Sequence, residues 1–306
     1  MKARPIVEHA PHDRQFYNLT EETRAILRSY HVRPKEQLGQ HFLIDREALA
    51  SILHAAAPSA QDQVLEIGPG IGTLTLALAA TGARIHALEL DQNMARISRA
   101  RTVAYPNVTI HEGNVLHSDL ATVLDVQRPF VVVANIPYYI TAPILRLFLE
   151  GPYRPTSLIL MVQREVGERL AATPGKMSAL AVFTQIHARV EIVRTVPATS
   201  FLPSPEVDSV VLRLRLLAEP PVPPEEQPYL FRVVKAGFGS KRKMIHNALD
   251  HGLPNHGAVI DEALAAAGVD RNRRAETLSI AEWRALARLL RADQQHQAKR
   301  AGAPPS

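Results

Sequence analysis

A chain of 306 residues without a single cysteine excludes disulfides and thiolate metal sites, and it is long enough for a large core and a second domain. Its 35 Lys and Arg against 30 Asp and Glu leave a net charge of +5. No apolar run approaches the roughly 20 residues of a transmembrane helix, and the start, Met1-Lys-Ala-Arg-Pro-Ile-Val-Glu-His9, lacks a signal-peptide apolar segment, so no membrane partner and a cytoplasmic location are expected.

Residues 1–29 read as a polar, irregular N-terminal extension, and the ordered pattern is expected from about residue 30. Val64 to Ile67 is a strand, Gly68, Gly70 and Gly72 form a glycine loop, and a helix opens at Thr73 and runs to about Ala80. Glycines there let a backbone approach a ligand closely. A G-x-G-x-x-G fingerprint would need glycine at position 73, so the spacing argues against NAD. Arg84 to Leu88 is the next strand and ends in Glu89, about 20 residues past the first glycine, where a carboxylate accepts from ribose hydroxyls. Val108 to His111 follows, then Glu112-Gly-Asn114, which puts an amide at the same sheet edge.

Phe130 to Ala134 is a buried strand whose carboxyl end carries Asn135-Ile-Pro-Tyr138. Open α/β sheets bind ligands at such ends. That turn offers a side-chain carbonyl, proline-stiffened backbone carbonyls and an aromatic face, a set suited to a flat base with an exocyclic amine. Ser157 to Met161 adds a strand; Ala188 to Val196 and Ser209 to Leu216, joined by the Phe201 loop, read as an antiparallel pair at the edge. The expected fold is therefore an α/β doubly wound, Rossmann-like sheet with antiparallel edge strands. Its domain spans 30–217. The prolines of Ala218 to Pro228 make a stiff linker. Beyond it, Tyr229 to Leu249, Ala258 to Ala267 and Ile280 to Arg291 have helical periodicity, giving a helical domain over 229–292 and a flexible tail over 293–306.

Charge divides at the same point. Up to Pro228 there are 22 basic and 23 acidic residues; beyond it there are 13 and 7. A basic surplus confined to the helical part is the footprint of a surface that meets phosphates, and Lys241-Arg-Lys243, expected on a helix, is its densest cluster. The histidines form no convincing metal pattern, so no metal is expected.

Five segments in order resemble the rRNA adenine N6-dimethyltransferase family, in its housekeeping KsgA type. Lys35-Glu-Gln-Leu-Gly-Gln-His-Phe-Leu43 is similar to the family's G-Q-N-F-L; Glu66-Ile-Gly-Pro-Gly70 to its glycine loop; Asn135-Ile-Pro-Tyr138 to its catalytic N-[LI]-P-Y; Phe201-Leu-Pro-Ser-Pro-Glu-Val-Asp-Ser209 to its F-x-P-x-P-x-V-D-S; and Arg274-Ala-Glu-Thr-Leu278 to a C-terminal signature. The resemblance implies a class I methyltransferase fold with S-adenosylmethionine as cofactor. It implies that His41, Leu43, Gly68, Gly70, Glu89, Asn114 and Asn135 bind that cofactor, that Asn135 and Pro137 grip the target amine, and that Tyr138 and Phe201 flank the base. Two positions depart from the pattern: His41 stands where the family has Asn, and Asn114 where it has Asp, though an amide can still accept from the adenine amine.

The function implied is dimethylation of two adjacent adenosines near the 3′ end of small-subunit rRNA within a pre-ribosomal particle, by a monomer, with Lys241, Arg242 and Lys243 on the RNA. Two other readings are a resistance methyltransferase acting on large-subunit rRNA and a non-catalytic assembly factor. The Arg274 to Leu278 segment and the basic helical domain favour the small subunit over the large, and the presence of Gly68, Glu89 and Asn135 counts against a non-catalytic protein.

Overall fold

The computed structural model describes residues 18–35, 39–136, 140–240, 242–253 and 257–300. In chain order the elements are α1 (Leu19–Ser29), β1 (Phe42–Leu43), α2 (Arg46–Ala56), β2 (Gln63–Ile67), α3 (Thr73–Ala79), β3 (Arg84–Glu89), α4 (Gln92–Thr102), β4 (Val108–Glu112), β5 (Phe130–Asn135), α5 (Thr141–Leu149), β6 (Ser157–Gln163), α6 (Arg164–Leu170), α7 (Ala179–His187), β7 (Ala188–Val196), β8 (Phe201–Leu202) and β9 (Ser209–Leu216). Four further helices follow: α8 (Gln227–Phe238), α9 (Ile245–Gly252), α10 (Gly257–Ala266) and α11 (Ile280–Arg300).

Seven strands make one sheet in the order β4-β3-β2-β5-β6-β9-β7, parallel from β4 to β6, with β9 antiparallel to both its neighbours. The expected α/β architecture with an antiparallel edge is the one found. Continuous apolar runs such as Phe130-Val-Val-Val-Ala134 suit it, because a parallel sheet is covered on both faces. Successive residues accordingly feed opposite cores: Val64, Ile85 and Val133 pack with α2 and α3, whereas Leu65, Val132 and Ala134 pack with α5. Burying each of the Val, Leu and Ile side chains among them contributes about 1.5–3 kcal/mol. The parallel register sets Ile67 beside Leu88 and Ala134, so the strand ends at Gly68, Glu89 and Asn135 converge on one edge.

The short pair β1 and β8 lies outside this sheet, joined antiparallel with Leu43 opposite Phe201. It was not foreseen, since two residues are too short for a periodic signal. Ile44 N–H donates to Ser200 O (2.9 Å) and Ser200 Oγ to Asp45 Oδ2 (2.7 Å), tying the segment before α2 to the loop before β9.

The helical part has its own core around Trp283, whose indole is fully buried against Phe238, Ile245 and the flat face left by Gly237. Met177, Ala181, Val182 and Ile186, from α7 and the loop before it, complete the same cluster, so the two parts share packed surface.

Four expectations are corrected. Residues 19–29, read as irregular, form α1: its charged residues conceal a stripe in which Ile26, Leu27 and Tyr30 pack with Phe42, Ile71, Met94 and Ile97, and Asn18 caps its first turn. The stiff spacer is not free, because Val222 is fully buried and Glu226 pairs with Arg284 and Arg288 of α11. The single helix expected over Tyr229 to Leu249 breaks after Phe238, at Gly239 and Ser240, and restarts at Ile245. Arg242 and Lys243 therefore sit exposed on a turn rather than a helix. Finally, α11 continues past Asp293 to Arg300, as its Ala, Gln and Lys content favours.

Candidate active site

At the carboxyl edge of β2, β3 and β5 lies a cavity open on one side. The expected groups His41, Leu43, Gly68, Gly70, Glu89, Asn114 and Asn135 all line it. Pro137, Tyr138 and Lys241 fall outside the described residues.

The glycine loop is held by β3 rather than by a cap of its own. Gly68 N–H donates to Leu88 O (3.0 Å), and Gly70 N–H to Glu89 Oε2 (2.9 Å). Gly70 has φ +58°, and a Cβ there would stand 3.2 Å from the Phe42 ring, so a side chain would be both strained and crowded. Gly72, at φ +81°, would bring a Cβ within 2.7 Å of Ser98 Oγ. Glu89 Oε1 accepts from Asp91 N–H (2.8 Å). Each carboxylate oxygen thus spends one lone pair on the backbone and keeps another. Burial pushes the Glu89 carboxyl upward, and the Asp91 and Gly70 amides oppose that shift.

Asp91 was missed in the sequence. Its Oδ1 caps α4 through Asn93 N–H (2.9 Å), while Oδ2 takes Lys35 Nζ (2.7 Å) and Gln40 Nε2 (3.3 Å), which fastens the segment before β1 to the site. His41 O accepts from Asn135 Nδ2 (3.2 Å), and His41 Nδ1 meets Pro203 O (2.8 Å). The first contact fixes the Asn135 amide with Oδ1 left as an acceptor. The second joins the same segment to the loop after β8.

Two expectations change. Phe201 is 3 % exposed, packed with Leu43, Met161 and Val196, and does not line the cavity. Its ring packs beside the β1 segment, because the β1–β8 pairing turns it into the core. Asn114 Oδ1 already accepts from Leu116 N–H (3.0 Å), which leaves it one lone pair, so the amide offers a ligand the donor Nδ2 as well as the acceptor expected.

Glu66, in the glycine-loop segment Glu66-Ile-Gly-Pro-Gly70, has a place in the site that its motif does not reveal. It is 1 % exposed, lies in the cavity wall, and its Oε2 has no hydrogen-bond partner. Burial pushes its carboxyl up to about 8, helped by the nearby Glu89 charge. An acid inside the apolar strand Val64-Leu-Glu-Ile67 was the signal available.

Residues 32–291 match the family model described as ribosomal RNA adenine dimethylase. The chain belongs to that family. It is 39% identical over 279 residues to the ribosomal RNA small subunit methyltransferase A of Alkaliphilus metalliredigens, covering 89% of this chain and 97% of that one, and 41% identical over 276 residues to its namesake from Shouchella clausii, covering 88% and 93%. Among solved structures, the 23S rRNA methyltransferase ErmE is 29% identical with a TM-score of 0.67, covering 82% of this chain and 99% of that one; a dimethyladenosine transferase from Plasmodium falciparum, at 23% identity and TM-score 0.69, covering 84% and 98%, shares the fold.

The family's cofactor is S-adenosylmethionine, and this cavity fits it. The glycine backbone gives close approach, Glu89 keeps acceptor capacity for a ribose diol, and the ionisable residues lining it are His41, Glu66 and Glu89, with no Lys or Arg among the described ones. Such a wall favours a ligand that carries positive charge.

Glu66 also makes a prediction for the empty protein. Its folded-state value lies above its ordinary 4.5, so the protonated form stabilises the fold fully below pH 4.5, and that contribution is lost as pH rises toward 8. Glu66→Gln stays neutral throughout. Without ligand, its melting temperature relative to the wild type should climb steadily between pH 5 and pH 8 in thermal denaturation; a difference independent of pH would contradict the burial of this acid.

Proposed function

We propose that this chain transfers methyl groups from S-adenosylmethionine to N6 of two adjacent adenosines near the 3′ end of small-subunit rRNA, acting as a cytoplasmic monomer on a pre-ribosomal particle. The observation that carries the reading is the Asn135 amide at the end of β5, held by His41 O beside Glu89 and the glycine loop.

The cofactor supplies a methyl group on a sulfonium sulfur, and alignment is the enzyme's main task, worth several kcal/mol. Asn135 Oδ1 accepts an N–H of the target amine, which turns the nitrogen lone pair toward the methyl. Pro137 carries the second carbonyl for that amine and Tyr138 stacks on the extruded base, as the family resemblance implies. Glu89 takes the ribose hydroxyls, and Asn114 Nδ2 donates to a ring nitrogen of the cofactor's adenine. The alkylated nitrogen is acidic and loses its proton readily, so a strong general base is unnecessary, in keeping with a motif that holds no His, Asp or Glu.

The small subunit is favoured over the large one because the small-subunit relatives are the more similar, at 39–41% against 29% for ErmE. Among the described residues no helix is long and apolar enough to cross a membrane, and no group of metal-binding side chains is found. The exposed turn with Arg242 and Lys243 stands beside the Arg271 to Arg274 loop, through Ile245 N–H to Arg273 O (2.7 Å), and that juxtaposition suits phosphate contact.

Asn135→Ala should cut methyl transfer at least about 100-fold while cofactor affinity stays close to wild type. Near-normal turnover would remove Asn135 from the mechanism. Neutralising Lys241, Arg242 and Lys243 together should weaken binding to small-subunit particles and lower the log–log salt slope by about one for each lost phosphate contact. An unchanged slope would make the cluster a solvated turn.

A further inference from the structure

We propose that S-adenosylmethionine drives a proton off Glu66 as it binds, so that the unpartnered carboxyl in the cavity wall becomes the counter-charge of a cationic group on the ligand. The inference rests on the cofactor assignment of this site. Glu66 is the penultimate residue of β2, on the face turned away from the α5 core, 1 % exposed, with Oε2 lacking a hydrogen-bond partner. A buried carboxyl without a partner is held neutral, because ionising it in an apolar wall costs far more than carrying the proton. Burial, with the Glu89 charge beside it and against the opposing Thr75 hydroxyl, lifts it to about 8, which leaves it largely protonated at neutral pH in the empty protein.

The groups around it cannot neutralise it. From β3 comes Glu89, a like charge, and from the segment before β1 comes His41, whose Nδ1 is engaged with Pro203 O. From α3 come Leu74 and Thr75, whose hydroxyl favours the ionised carboxyl but carries no charge to match it, and from β5 Asn135, whose Nδ2 is taken by His41 O. Asp91 is next beyond Glu89 and is already matched by Lys35 at 2.7 Å. No Lys or Arg lines the cavity among the described residues. A ligand that brings an α-ammonium and a sulfonium is the missing positive charge, and an opposite charge nearby favours the ionised carboxyl. The released proton passes to the buffer, and the proton count of binding follows from linkage.

The test is calorimetric titration of the full chain at pH 7 in phosphate and in Tris, which differ in ionisation enthalpy, with S-adenosylmethionine and separately with S-adenosylhomocysteine, for the wild type and Glu66→Gln. Thermal melting confirms that the variant is folded. The wild type should release close to one proton more per bound S-adenosylmethionine than Glu66→Gln, since the ligand's own amine contributes equally to both. Release with both ligands identifies the ammonium as the compensating group; release with S-adenosylmethionine alone identifies the sulfonium. Equal proton counts in the two proteins overturn the proposal while leaving the cofactor assignment intact. Absence of binding heat for either ligand overturns the assignment and the proposal together.

Discussion

Glu89 is the residue on which the site depends. Its two carboxylate oxygens take the Gly70 and Asp91 amides at 2.9 and 2.8 Å, and so fix the glycine loop to the end of the neighbouring strand. Without that bridge the loop between β2 and α3 would have to satisfy its amides elsewhere, and Asp91 would lose the geometry with which it caps α4 and holds Lys35. The parallel register of β2, β3 and β5 then sets Asn135 on the same edge. One buried acid thereby links cofactor cradle, helix start and N-terminal segment.

The second organising feature is the join between the two parts of the chain. Glu276 O, within the Arg274 to Leu278 segment, accepts both Gly175 N–H (2.9 Å) and Met177 N–H (3.1 Å) from the loop after α6. Glu226 reaches Arg284 and Arg288 on α11, and α7 adds its apolar face to the core around Trp283. These contacts pack the helical part against the end of the sheet domain. The C-terminal signature is therefore a structural clasp as well as a mark of the family.

The sheet was legible because its strands are long apolar runs with polar or glycine ends, and the glycine loop, Glu89 and Asn135 were found by where those runs stop. What escaped lies in pairings that leave no period. Two-residue strands carry no alternation, so Phe201 could not be seen turning into the core opposite Leu43. The engagement of Asn114 Oδ1 with Leu116 N–H is a loop contact two residues away, invisible in residue type alone. Glu66 was visible as an acid in an apolar strand, yet only the fold shows that nothing pairs with its Oε2. The helix α1 was hidden by its charge, since its apolar stripe is narrow.

The most direct measurement is nucleoside mapping of rRNA after small-subunit particles that lack the modification are incubated with this protein and labelled S-adenosylmethionine. The account predicts N6,N6-dimethyladenosine at two adjacent positions near the 3′ end of the small-subunit rRNA, and none in large-subunit particles treated alike. Label confined to large-subunit rRNA, or small-subunit particles left without dimethyladenosine, would contradict it.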